Sequence, residues 1–333
     1  MGALDNAFMQ HYKSFLISLI VLIAALALGL SAAEAILRLK NSAMTNYDVE
    51  MWRYAKELKV KSPDPALDFD HRRSVSAVLQ NVGIRLNEWG LRGGPVALPK
   101  SDERRILFLG SSITLGWGVR EEDTVEFQLQ KMLEENGEKA EVLNGGVGNY
   151  NTKRYVSRFF NELTGLQPTD IVVNYFLRDA EDLPAGNENV LLRHSELAVT
   201  LWIAFHRLWD RHGEQSLLDH YRAVYQPDAP GFQVMQQQLK RLADYAATHH
   251  IRLYLAMVPD VHNLVDYKFG FIHDIMKRVA AEQGYTYIDL LPALNGRQPE
   301  DLWAMLGDPH PNALGHRLMA EAIFPIITSQ PHK

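Results

Sequence analysis

The hydrophobic pattern of this chain changes character twice, and each change predicts a different kind of element. Residues 14–33, SFLISLIVLIAALALGLSAA, carry no charge, and about 20 apolar residues are what a helix needs to cross a bilayer. Further on the apolar runs are short: RRILFLG at 104–110, AEVLN at 140–144, DIVVNYF at 170–176, IRLYLAMV at 251–258 and YTYIDL at 285–290. Runs of this length, closed by glycine or polar residues, suit buried strands. Between them apolar residues recur at helical spacing over 123–135, with Thr124 as a candidate cap, and over 152–163, 231–248 and 271–283. Strand and helix alternate, which predicts an α/β fold: a doubly wound parallel sheet of about five strands with helices on both faces.

The pattern also divides the chain. A tail over 1–13 precedes a transmembrane anchor over 14–37. Residues 41–103, with Pro63, Pro65, Pro95 and Pro99, read as a loop-rich leader packing on the core. An α/β domain spans 104–328, interrupted over 187–228 by LLRHSELAVTLWIAFHRLWDRH, an inserted helical excursion that could serve as a lid. A cleaved signal peptide is the alternative for the first segment, since Ala33 and Ala35 form a small-x-small pair, but the apolar stretch exceeds a usual signal core. Arg38, Lys40, Arg53 and Lys56 follow the segment while only Lys13 closely precedes it. That count mildly favours a cytoplasmic C-terminal domain, although long domains translocate largely regardless of charge.

Composition narrows the classes. Of 333 residues, 47% are hydrophobic and 22% charged, enough to bury a sizeable core and to exclude general disorder. A net charge of −6 without a basic stripe argues against nucleic acid as a partner. The absence of cysteine removes disulfides, thiolate nucleophiles and cysteine-ligated metal sites.

In open parallel sheets ligands bind beyond the carboxyl ends of the strands. After the first strand comes Gly110-Ser111-Ser112-Ile113-Thr114, which is neither a phosphate-binding P-loop nor a G-x-S-x-G elbow. Near the end of the chain, Gly307-Asp308-Pro309-His310-Pro311-Asn312 leads into a final helix. A serine needs a base to attack at neutral pH, and a histidine needs a carboxylate to hold its tautomer. Asp308 and His310 offer both within one prolyl-stiffened loop.

FLGSSITLGWGV and DPHPNALGH, in this order at opposite ends of an α/β segment, resemble the serine and histidine blocks of the SGNH/GDSL hydrolases. The similarity runs over about 104–327. It implies the flavodoxin-like fold of that family, with Ser112 as nucleophile, His310 as general base and Asp308 as its acidic partner. NGGVGNYNT is similar to the glycine block, with Asn149 at the oxyanion-hole glycine. YFLRDAED is similar to the asparagine block, with Arg178 in place of the asparagine and Asp179 following. Ser111 replaces the aspartate before the nucleophile. The usual aspartate three before the histidine is Gly307, and the D-x-H spacing of Asp308 is found among related polysaccharide O-acetyltransferases.

An oxyanion hole uses N–H donors, each worth about 2.7–4 kcal/mol of transition-state stabilisation. Main-chain donors at Ser112 and Asn149 survive side-chain changes, and asparagine tolerates the left-handed backbone better than most residues. Arg178 either joins the oxyanion hole or forms a salt bridge with Asp179, Glu181 or Asp182.

The resemblance implies a carboxylic ester hydrolase or O-acyltransferase that needs no metal or organic cofactor. Its substrate would be an acylated, in particular acetylated, envelope glycan or lipid. A single-pass inner-membrane protein with its catalytic domain in the periplasm or outside the cell is the expected setting, with the membrane engaged through the N-terminal helix. The alternative is a catalytically degenerate fold that binds glycan or assembles in a membrane complex, supported by Ser111, Asn149 and Arg178. Three other features carry blander expectations. His249 and His250 belong at an exposed helix end, His316 belongs on a helix surface, and Trp202, Phe205 and Trp209 form a helical stripe that is more often core than substrate platform.

Overall fold

The computed structural model describes residues 2–98, 104–183, 192, 194–209, 214–305 and 308–329. They fall into two compact units, Met1–Trp52 with Glu188–Arg211, and Arg53–Asn187 with His212–Lys333. In chain order the helices are α1 (Gly2–Asn41), α2 (Tyr47–Leu58), α3 (Ser112–Leu115), α4 (Val125–Glu135), α5 (Thr152–Arg158), α6 (Glu196–Trp209), α7 (Glu214–Val224), α8 (Pro230–Thr248), α9 (Gly270–Gln283), α10 (Leu291–Leu294) and α11 (Ala313–Thr328).

Within the first unit, α1 contains the span Met9–Asn41, which is long and apolar enough to cross a membrane. Near its C-terminal end the Glu34 carboxylate accepts hydrogen bonds from the N–H groups of Glu196 (3.0 Å) and Leu197 (2.9 Å) and from the Ser195 hydroxyl (2.9 Å). Glu34 thus satisfies donors that the first turn of α6 would otherwise leave open. The apolar stripe of α6 departs from expectation. Leu201, Trp202 and Phe205 are 62, 49 and 62% exposed, so within this unit the stripe is surface rather than core. The side chain of Trp209 lies outside the described residues.

The second unit is built on five parallel strands, β5 (Arg104–Gly110), β6 (Ala140–Asn144), β7 (Asp170–Phe176), β8 (Arg252–Val258) and β9 (Thr286–Asp289), ordered β6-β5-β7-β8-β9. This is the doubly wound, flavodoxin-like order. β5 is buried at every residue, and β7 and β8 nearly so, which explains their continuous apolar runs. Successive side chains point to opposite faces. Leu107, Leu109 and Val173 join Phe159, Leu239 and Met276 in one core, whereas Ile106, Phe108 and Val172 join Leu129, Met319 and Ile323 in the other. At the amino ends of the strands Arg104 grips Asp170 with two bonds, of 3.0 and 2.7 Å, and Arg252 adds a third of 2.8 Å.

Residues 53–98 hold more regular structure than a loop-rich reading implies. β1 (Lys59–Lys61) pairs with β2 (Phe69–His71), and β3 (Val75–Leu79) with β4 (Val82–Leu86), both antiparallel. At three to five residues each, these strands are too short for alternation to be read with certainty from sequence. The last ladder joins β10 (Trp303–Met305) to β11 (Asp308–Pro311).

Candidate active site

The serine turn forms because the backbone is crowded beyond the carboxyl end of β5. A Cβ at Gly110 would lie 2.1 Å from Thr114 Oγ1 and 2.8 Å from the Asn174 carbonyl oxygen, so only glycine fits. The chain then folds over Ser111 into α3. The N–H of Leu115 donates to the Ser111 carbonyl and that of Trp117 to the Ser112 carbonyl, each at 3.0 Å. The turn leaves Ser112 half-buried.

His310 is brought to it by β11. The expected prolyl loop is a short strand in a two-stranded antiparallel ladder, with Pro311 opposite Trp303. Just beyond, the Asn312 N–H donates to the Leu302 carbonyl (2.7 Å), and its side-chain oxygen caps α11 through the N–H groups of Leu314 (3.0 Å) and Gly315 (3.1 Å). Held at both ends, the buried His310 places Nε2 2.7 Å from Ser112 Oγ. With Nε2 unprotonated, the ring can accept the hydroxyl proton. The Asp308 backbone pairs opposite Met305 in the ladder; its side chain lies outside the described residues.

Two further predicted residues occupy the neighbouring loops. Asn149 adopts the left-handed conformation, with φ 62°, and its carbonyl accepts a bond from Arg154 Nη1 at 3.1 Å. Arg178, on the turn after β7, has a side chain 53% exposed and paired with Glu181 at 3.3 Å. Asp179 is buried, and its carboxylate accepts the Phe176 N–H at 3.1 Å. Burial pushes this carboxyl well above the usual aspartate range.

Beneath the turn lies a polar layer that sequence reasoning missed. Asn144 donates to the Thr114 carbonyl (2.7 Å) and to Glu126 (3.0 Å), and accepts the Gly146 N–H (3.0 Å). It thereby ties the glycine block to the serine turn. Gly146 approaches so closely that a Cβ there would lie 2.1 Å from the Leu115 nitrogen. Burial pushes the Glu126 carboxyl up to about 8 and lowers the Arg92 guanidinium to about 10. Arg92 donates to the carbonyls of Leu115 (2.7 Å), Gly116 (2.6 Å) and Val119 (2.7 Å). No local motif announces Arg92 or Glu126, because each acts across a long stretch of sequence, whereas Asn144 opens the NGGVGNYNT block.

His316 is not on a helix surface. It is fully buried, its Nδ1 accepts the Val125 N–H at 3.2 Å, and burial with the nearby Arg92 and His310 lowers it to about 3. The neutral ring helps seat α4 against α11. His249 and His250 do lie exposed at the end of α8, where His249 stacks on Tyr245 with ring centroids 3.8 Å apart.

Residues 108–318 match the model of the GDSL-like lipase/acylhydrolase family. No curated protein matches the chain. Among solved structures, TesA is similar at 17% identity and a TM-score of 0.46, covering 68% of this chain and 99% of its own. A catalytic mutant of Axe2, an acetylxylan esterase from Geobacillus stearothermophilus, is similar at 15% identity and a TM-score of 0.46, covering 68% and 95%. An α/β hydrolase from the metagenome of Lake Arreo, Spain, is similar at 16% identity and a TM-score of 0.45, covering 71% and 100%. The family match spans more than half of the sequence and encloses both Ser112 and His310, so this chain belongs to the GDSL-like lipase/acylhydrolase family and is a carboxylic ester hydrolase by class.

Proposed function

We propose that the protein uses Ser112, His310 and Asp308 to cleave or transfer an acyl group through an acyl-enzyme. The contact of 2.7 Å between Ser112 Oγ and His310 Nε2 carries this reading. As Oγ attacks the ester carbonyl, His310 takes its proton and then returns it to the departing alcohol, leaving the acyl group on Ser112. A second hydroxyl, from water or from an acceptor sugar, attacks the acyl-enzyme with His310 again as base. Asp308 would orient the imidazole from the same strand. The main-chain N–H groups of Ser112 and Asn149 would hold the oxyanion, while Arg178 pairs with Glu181.

The substrate we propose is an acetylated envelope glycan or lipid, reached from an inner-membrane anchor formed by α1 with the catalytic unit on the periplasmic or outer side. The helix supports the anchor by its length and apolar composition. A C-terminal alkaline phosphatase fusion tests the side, since only export yields activity.

The chemistry is tested by treating the full-length protein in detergent with a fluorophosphonate probe. Labelling of the parent, lost in Ser112→Ala and strongly reduced in His310→Ala, is expected together with cleavage of a short-chain aryl acetate. A folded parent that neither labels nor cleaves would overturn the reading in favour of a noncatalytic glycan-binding role.

A further inference from the structure

The loop bearing Asn149 is not held by the catalytic strands alone. Both polar groups of the residue before it, Gly148, are taken by side chains from the segment preceding the sheet. The Gly148 N–H donates to the Tyr54 hydroxyl at 2.8 Å. Its carbonyl accepts from the ammonium of buried Lys59. Tyr54 in turn meets His71 Nε2 at 2.7 Å, while His71 Nδ1 lies 2.8 Å from the Gly90 carbonyl. A carbonyl can only accept, so Nδ1 carries the proton, Nε2 accepts from Tyr54, and the tyrosine oxygen is left to receive the Gly148 N–H. The direction of every bond in this chain is therefore fixed. The Tyr54 ring packs so tightly that a Cβ on Gly148 would lie 2.6 Å from its edge.

The Gly148 carbonyl and the Asn149 N–H belong to one planar trans peptide and point in opposite directions. Whatever holds the first therefore aims the second. This matters because Asn149 sits at φ 62°, a conformation that any residue with a Cβ adopts reluctantly. A glycine would stay there freely, whereas an asparagine gains by rotating away, which would turn its N–H elsewhere. We propose that Lys59 is a positioning residue: by binding the Gly148 carbonyl it keeps Asn149 left-handed and its N–H directed at the oxyanion. The inference rests on the oxyanion role given to Asn149 above. A positive donor on the carbonyl also polarises the peptide and strengthens its N–H as a donor.

The groups facing the ammonium fit this task. The Tyr54 ring lies beneath it, 4.8 Å from nitrogen to centroid. Burial and, after it, Arg154 pull the Lys59 ammonium down to about 7, while Asp70 and Asp68 favour its charge.

The test uses full-length Lys59→Met, with Lys59→Gln as a milder companion that keeps a neutral donor. For Lys59→Met we expect kcat on an aryl acetate to fall by on the order of 10²-fold, as for loss of one oxyanion donor, with KM little changed. Lys59→Gln should fall less. Introducing Asn149→Gly should shrink the effect of Lys59→Met several-fold relative to the Asn149→Gly parent, because glycine needs no clamp. A purely structural lysine would show the same loss in both backgrounds, and that result overturns the proposal. A crystal structure of the variant gives an answer independent of activity. A Gly148–Asn149 peptide still in its original orientation without Lys59 sinks the positioning role even if the protein proves to cleave no ester, whereas inactivity of the parent alone counts against the proposed function.

Discussion

His310 Nε2 lies 2.7 Å from Ser112 Oγ although 198 positions separate the two residues in the chain. Two short local devices create this contact, the glycine-crowded turn after β5 and the β10–β11 ladder before α11. Neither device is useful without the other, and the sheet sets the distance between them.

If this contact is the nucleophile–base pair, Ser112→Ala and His310→Ala should each lower kcat by on the order of 10⁴-fold or more, and the double variant should be little worse than either single one. Residues acting as one unit are not additive. Steady-state kinetics of the three proteins on an aryl acetate decide this, and multiplicative losses would argue against a shared step.

Arg178 can be assigned by a single substitution. An exposed ion pair such as Arg178–Glu181 contributes little, whereas an oxyanion donor is worth about 10²–10³ in kcat. We expect Arg178→Ala to lower kcat by less than about tenfold, in keeping with a salt-bridge role. A hundredfold loss at unchanged melting temperature would place the guanidinium at the oxyanion.

Stability on the acid side should depend on Asp170. Burial alone would raise its carboxyl, but the bonds from Arg104 and Arg252 hold it below the usual aspartate value. A group depressed in the folded state contributes stability above its unfolded pKa, and that contribution is lost as pH falls through the folded one. Asp170→Asn should therefore cost about 1.5–3 kcal/mol at neutral pH, because buried Arg104 loses its two-bond carboxylate partner while keeping Glu138 and the Ile327 carbonyl. The deficit should narrow in acid. Melting curves from neutral pH downward test this, and a deficit that stays constant into acid would contradict it.

Glu126 should act in the opposite direction. Its carboxyl is pushed from 4.5 up to about 8 by burial. Between these values the folded state keeps a proton that the unfolded state releases, so this group makes stability fall as pH rises through the window. Glu126→Gln should flatten that decline and leave the protein relatively more stable above neutrality. An unchanged pH–stability slope in the variant would refute the neutral carboxyl.

Much of the architecture is written locally. The runs that form β5, β7 and β8 are apolar without alternation because both their faces are covered. Thr124 stands where α4 begins, and its hydroxyl does accept the Phe127 N–H, at 3.4 Å. The serine and histidine blocks were legible for the same reason: each is a short segment in which Gly110 and Asn312 have local backbone duties.

Tertiary structure decided what lies between and beneath those blocks. Arg92 and Asn144 support the serine turn through bonds to distant backbone, Glu126 accepts from the Asn144 side chain, and Lys59 and Tyr54, the latter backed by His71, reach the Gly148 peptide from a segment that read as loop. His316 read as surface and is buried, while the α6 stripe read as core and is exposed within its unit. Periodicity reports only that a face is apolar, not what covers it. A single polar side chain that bonds across many tens of residues leaves no repeat in the sequence at all. The sequence therefore determined the strands, their helices and the serine and histidine blocks. The distance between Ser112 and His310, and the polar frame that holds it, exist only once the sheet has closed around them.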